Sequence, residues 1–322
     1  AATTPVAKHG RLSVKGADLV DSKGNKFQLR GISTHGINWD VGSPYVNKKA
    51  FKTLRDDWGV NAIRLAMYTE EYNGYCSGGS QAKLRKLVDK GVGYATDLGM
   101  YAIIDWHILS DGNPNKNKSQ AKKFFTTMAK KYKNNKNVIY EICNEPNGCG
   151  WKEIKSYATD IIKTIRKYDK KAVIIVGTPT WSQLGTDGTS NEVADSPIKG
   201  YKNIMYSLHF YASEWAHNEY LPAKVAYARK KKLPIIVSEF GLSPASGDGA
   251  INKASADKWM KLLNKYNISY FCWSLSNKNE SASLLKPSTK KTSGWKSGDL
   301  STAGKYIKKK YLARKKALGK KA

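Results

Sequence analysis

Two glutamates stand where apolar runs end: Glu145 in "VIYEICNEP" (138–146) and Glu239 in "LPIIVSEFG" (233–241). A buried strand that closes on a carboxylate leaves that group at the edge of a core. Two such groups facing each other can cleave a glycosidic bond. One stays protonated and donates to the leaving oxygen, while the other stays ionised and attacks the anomeric carbon. Their surroundings must therefore differ. Glu145 is flanked by Asn144, Pro146 and an aromatic-rich mouth, which favours the neutral acid. The Arg64 guanidinium and the Tyr211 hydroxyl could approach Glu239 and favour its anion. Taken singly, Glu145 could instead cap the next helix, and Glu239 could form a buried ion pair with Arg64. Glu141 shares side-chain parity with Glu145 and reads as structural, an ion-pair partner of Arg64 below the site.

Eight short apolar runs supply the frame: 27–34, 62–68, 101–107, 138–146, 172–178, 204–211, 233–241 and 269–276. Their near-continuous hydrophobicity is that of parallel strands covered on both faces. Most gaps carry helix signals. Asn47 can cap a helix with Phe51, Leu54 and Trp58 on one face, ended by Gly59. Ser80 can cap a second, with Leu84, Leu87, Val88 and Leu98 inward. Phe125, Met128 and Tyr132 repeat the pattern. Strand then helix, repeated eight times, predicts an α/β fold, a (β/α)8 TIM barrel. Turn signals at Lys15-Gly16 and Lys23-Gly24 predict a small N-terminal β-hairpin over 12–30 that plugs the barrel bottom. No Pro- or Ser-rich linker divides residues 1–322, so one catalytic domain is expected, with a basic C-terminal helix or tail over 305–322. In such barrels the site lies at the C-terminal strand ends. The polar residues there are His35, Tyr68, His107, Asn144, Glu145, His209, Tyr211, Glu239 and Trp273. Lower in the strands only Arg64 and Glu141 stand out as polar.

The chain has 55 Lys and Arg against 26 Asp and Glu, a net charge of +29. Such a field attracts anionic polymers. The surplus lies in runs such as "KKYK" (130–133) and "RKKK" (229–232) on predicted outer helix faces, with no RRM or zinc-finger pattern. It reads as a solvated surface that adsorbs anionic polymers without specific nucleic-acid recognition. It should also favour ionised carboxyls at the mouth and draw the acid's pKa down. No apolar run reaches the roughly 20 residues of a membrane span. The four cysteines form no C-x-x-C pair. Cys143 and Cys272 read as buried, while Cys76 and Cys149 lie in loops and could pair. The start, "AATTPVAK", suits an end left by signal cleavage or a cloning boundary.

Asn144-Glu145-Pro146 after "VIYEI", together with "SEFG" at 238–241, resembles glycoside hydrolase family 5. Within that family it is most similar to the bacterial endo-β-1,4-glucanases. The likeness runs from "RGISTHGINW" (30–39) through "IIDWHILSDGNPN" (103–115), "VGTPTWSQ" (176–183), "LHFYA" (208–212) and "WSLSNKNESAS" (273–283) to "SGDLS" (297–301). The resemblance implies Glu145 as general acid/base and Glu239 as nucleophile. Asn144 would hold the sugar 2-hydroxyl, Arg64 and Tyr211 would orient and ionise Glu239, and His107 and His209 would flank the pair. His35, Trp39, Tyr68, Trp181, Trp273, Lys278 and Glu280 would line sugar subsites. It further implies a secreted monomer acting on β-1,4-glucan chains, with no cofactor, no metal and no membrane. No carbohydrate-binding module is legible in the chain. The Lys-rich surface is its main departure from the family pattern.

Three rivals compete. His35, His107 and His209 end strands one, three and six, and three His can bind zinc. Against this, neither H-x-H nor H-E-x-x-H occurs. A non-catalytic polycationic barrel could retain acidic polymers, although both glutamates are intact. Within the family, the substrate could be mannan, xylan or lichenan.

Overall fold

The computed structural model describes residues 3–322. Eight parallel strands close into a barrel: β3 (Arg30–Thr34), β4 (Ala62–Tyr68), β5 (Tyr101–His107), β6 (Val138–Glu141), β7 (Ile174–Val176), β8 (Ile204–Tyr211), β9 (Ile235–Gly241) and β10 (Tyr270–Leu275), with β10 pairing back onto β3. Every residue of these strands is buried. That is why their sequences are continuous apolar runs rather than alternating ones. β4, β5 and β8 match the predicted bounds. β6 is shorter, ending at Glu141, so Glu145 sits in the irregular segment beyond it. That segment still follows the barrel wall, because Ile142 N–H donates to Ile175 O and Asn144 N–H to Trp106 O.

Helices α2 (Lys48–Trp58), α3 (Gln81–Asp97), α4 (Lys118–Tyr132), α5 (Trp151–Arg166), α8 (Trp215–Lys230), α9 (Lys253–Lys265) and α10 (Thr302–Leu318) surround the barrel, and α1 (Pro5–His9) precedes it. The predicted caps are present: Asn47 accepts from Ala50 N–H and Ser80 from Lys83 N–H. Gly59 ends α2 at φ 72°, a left-handed position that costs a glycine little. The fifth of the eight expected strand–helix units is incomplete. After β7 there is only a turn, α6 (Pro179–Ser182), and one helical turn, α7 (Glu192–Asp195). Residues 179–203 are rich in Gly, Ser, Thr, Asp and Pro and lack the 3.6-residue apolar spacing that holds a helix against a barrel.

β1 (Ser13–Lys15) and β2 (Asp18–Val20) form the predicted hairpin. The first barrel strand starts at Arg30 rather than Phe27. Phe27 and Leu29 instead join Leu12 and Leu19 against Ile103, Ile139, Ile175, Met205, Ile236 and Phe271 inside the barrel. The bottom is thereby plugged, and polar side chains collect at the other end. α10 starts at Thr302 and packs through Tyr306, Ile307 and Tyr311, so the basic C-terminal segment is a docked helix and not a tail. All four cysteines are unpaired, Cys76 and Cys149 included. Among the described residues no helix is long and apolar enough to cross a membrane.

Candidate active site

A cleft of about 650 Å3 opens at the C-terminal ends of the strands. Register explains its contents. β4 and β5 pair Tyr68 with His107, β5 and β6 pair Asp105 with Glu141, and β8 and β9 pair His209 with Glu239. Each strand therefore delivers its polar residue at a matched height.

Arg64 organises the floor. It is fully buried and bonds five side chains: Nη1 to Glu239 Oε1 at 2.9 Å and to Ser33 Oγ at 3.4 Å, Nε to Glu141 Oε1 at 2.8 Å, and Nη2 to Asp105 Oδ2 at 3.1 Å and to Asn144 Oδ1 at 2.6 Å. The Tyr211 hydroxyl donates to the second oxygen of Glu239 at 2.7 Å. Both oxygens of Glu239 are thus held by donors, which fixes the group's direction. Asn144 is fully buried, and one of its amide hydrogens already goes to Ile108 O. One N–H is left for any sugar hydroxyl.

Glu145 meets different neighbours. Its Oε2 lies 2.6 Å from His209 Nδ1, and 13% of its side chain stays open to the cleft. Burial pushes its pKa up to about 8, opposed by Arg64 and aided by Asp105 and Glu141. Removal from water outweighs the basic field expected from the net charge, because the surface lysines are screened and distant. Glu145 is therefore the acid form at neutral pH. Below pH 8 its proton is present and above it the proton is lost, so the alkaline limb of the rate profile should fall near pH 8.

A chain of hydrogen bonds fixes where that proton points. Ser238 Oγ donates to Glu141 Oε2 at 2.7 Å, and the Arg64 guanidinium beside Glu141 favours its ionised, accepting form. Ser238 has one hydrogen, so at 2.7 Å it accepts from His209 Nε2. Burial also pulls His209 down to about 4, leaving a neutral ring with one N–H. That N–H is on Nε2, so Nδ1 accepts and the Glu145 hydroxyl donates. Ser238→Ala removes this anchor. His209 can then carry its proton on Nδ1 and donate to the Glu145 anion, which stabilises the ionised form. The alkaline limb should move toward acid by about one unit, the scale of one hydrogen bond to a charged group. A kcat/KM–pH profile on a neutral cello-oligosaccharide checks it; an unmoved limb would mean Ser238 does not set the tautomer.

Every side chain expected to touch sugar lines the cleft: His35, Trp39, Tyr68, Trp181, Trp273, Lys278 and Glu280. Trp39 and Tyr68 rings are 4.5 Å apart, and His35 and Trp273 rings 4.8 Å. Trp181 follows β7, opposite β3 in the barrel, and is 47% exposed. Thr180, Trp181 and Ser182 have φ of 61°, 54° and 61°, a left-handed turn that costs non-glycine residues energy. It is held to the Glu145 segment by Trp181 N–H to Pro146 O and Ser182 Oγ to Asn144 O. Lys278 pairs with Glu280 at 3.1 Å.

Sequence reasoning missed Asp105 and Ser238, which hold His107 and His209. It also missed Glu71, Gln183, Glu214 and His217 on the cleft wall. Asp105 was legible by parity, because Ile103, Asp105 and His107 alternate on one strand face. Glu71 and Gln183 lie in irregular segments, and Glu214 and His217 at the start of α8, with no such signal. The three-histidine zinc reading is not supported. Among the described residues the one group within metal-ligand reach is Glu145, His209 and Glu239, which contains neither His35 nor His107.

Residues 20–279 match the family model described as cellulase, glycosyl hydrolase family 5. The chain belongs to this family. It is 45% identical over 303 residues to endoglucanase A of Butyrivibrio fibrisolvens, covering 93% of this chain and 68% of that protein. An endoglucanase of Clostridium saccharobutylicum is 48% identical over 313 residues, 96% of this chain and 66% of its own length. The chain thus spans about two thirds of these relatives. Among solved structures, the catalytic domain of a Thermobifida fusca endoglucanase in complex with cellotetraose superposes with a TM-score of 0.89. It is 36% identical, over 96% of this chain and 99% of that one.

Proposed function

We propose that this protein is a retaining endo-β-1,4-glucanase that cuts internal bonds of cellulose and cello-oligosaccharides. The observation that carries the reading is the pairing of Glu145 with Glu239. One oxygen of each, with a ring nitrogen of His209, lies within 4.8 Å of the others. Retaining pairs stand about 5–5.5 Å apart, whereas inverting pairs need roughly 6.5–9.5 Å to admit a water between them.

In the first step Glu239 attacks the anomeric carbon while Glu145 gives its proton to the departing glycosidic oxygen, leaving a glycosyl–Glu239 ester. In the second, Glu145 takes a proton from water, whose oxygen attacks the same carbon and frees Glu239. Two inversions give net retention. Trp39, Tyr68, Trp181 and Trp273 offer flat faces to the C–H faces of glucose units. Lys278, Glu280 and His35 offer hydrogen bonds to hydroxyls. A polymer of this size cannot enter a cell, so the reading also places the enzyme outside it.

NMR of early products from a β-linked cello-oligosaccharide should show the β-anomer first; initial α-product would exclude this mechanism. A panel of cellulose, mannan, xylan and lichenan should show the highest kcat/KM on the β-1,4-glucan.

A further inference from the structure

At the opposite end of the barrel a second buried arginine lacks what Arg64 has. Arg30 opens β3 and is 2% exposed. Its Nε donates to Gly59 O at 3.0 Å, and its Nη1 has no partner among the described residues. Among the described residues no carboxylate side chain pairs with it. Arg314, Tyr270 and Tyr311 act on its charge. Arg314 is itself cationic, and the two tyrosine hydroxyls are used by Asn264 and Gly31 O. A buried guanidinium normally has an anion beside it, because desolvating the charge alone is unfavourable by several kcal/mol. Arg64 meets that requirement with three carboxylates; Arg30 meets it with none.

Arg30 lines a pocket of about 310 Å3 bounded by the starts of α1 and β3 and the ends of α2 and α10. Lys8, Arg55 and Lys315 also face it. Asp56 is its one acidic side chain and is already held by Lys52 and Arg55. Lys8 Nζ donates to the Ala322 oxygen at 3.3 Å, and Ala322 also lines the pocket. Of the four cations, Arg55 is already paired with Asp56 and Lys8 with the Ala322 oxygen, which leaves Arg30 and Lys315 with no acidic partner among the described residues. The planar guanidinium fork and the surrounding ammonium groups suit an oxyanion with several acceptor oxygens.

We propose that this pocket is a binding site for a tetrahedral oxyanion of the phosphate or sulfate class, with Arg30 as its buried anchor and Lys8, Arg55 and Lys315 around it. The bound anion ties the N-terminal helix, the α2 end and the C-terminal helix to the barrel bottom. It therefore acts on stability and not on the cleft, independently of the substrate reading.

Thermal unfolding of the full chain is followed while inorganic phosphate replaces sodium chloride at constant ionic strength. The melting temperature should rise saturably, by about 2–4 °C. Sulfate should act likewise and acetate should not. Arg30→Gln should abolish the response. Should that variant fail to fold, Lys315→Ala, on the exposed rim, should weaken apparent affinity several-fold and leave hydrolysis unchanged. Lys163→Ala, on the outer face of α5, should keep the full response. Isothermal titration with phosphate should give one site. A rise no larger than chloride gives, or one that survives Lys315→Ala as fully as Lys163→Ala, overturns the proposal in favour of diffuse surface attraction.

Discussion

Glu239→Gln is expected to lower turnover on every β-1,4-glucan substrate on the order of 10^5-fold, about 7 kcal/mol of barrier. The amide keeps the shape of the carboxylate but cannot form the glycosyl ester. Activated and natural substrates should suffer alike, because the missing bond is made in both. The fold should tolerate the change. Arg64 would keep Glu141 at 2.8 Å and Asp105 at 3.1 Å, so its charge is not orphaned. Steady-state rates on cellohexaose and on dinitrophenyl β-cellobioside, with a melting curve as control, provide the measurement. Substantial residual activity on either, in a folded variant, would remove Glu239 from the nucleophile's role.

Glu145→Ala should divide the two substrates that Glu239→Gln treats alike. On cellohexaose the loss should be about 10^3-fold, in the range general acid catalysis supplies. Dinitrophenolate departs without a proton, so glycosyl–enzyme formation from the activated substrate should run near its normal rate. The second step still needs Glu145 as base. The expected trace is therefore a burst of one dinitrophenolate per enzyme, then a slow steady rate. The loss of the 2.6 Å contact to His209 should not alter the first step on this substrate, because that contact serves the proton. Equal loss of the first step on both substrates would show that Glu145 is not the acid.

The frame of this protein is written locally. Side-chain alternation and the 3.6-residue period are properties of neighbouring residues, so the barrel strands, the caps at Asn47 and Ser80 and the hairpin could be read without contacts. The two glutamates were legible for the same reason, as carboxylates at the ends of apolar runs. The segment after β7 failed as a full strand–helix unit because its composition lacks an apolar stripe.

What the tertiary structure decided is everything that depends on residues far apart in the chain. Arg64 bonds Glu141 across 77 positions and Glu239 across 175. Ser238 reaches Glu141 across 97 and so fixes the ring of His209. The left-handed turn that presents Trp181 is held by bonds to the Glu145 segment, not by its own preference. Most of all, the sequence offered two opposed influences on the acid, a net charge of +29 that favours its ionised form and an aromatic-rich mouth that favours its neutral one, and closure of the barrel decided for the second. Burial took the Glu145 carboxyl out of water and raised it to about 8. Desolvation acts at contact distance, whereas surface charge is spread through a screening solvent, so the nearer effect prevails.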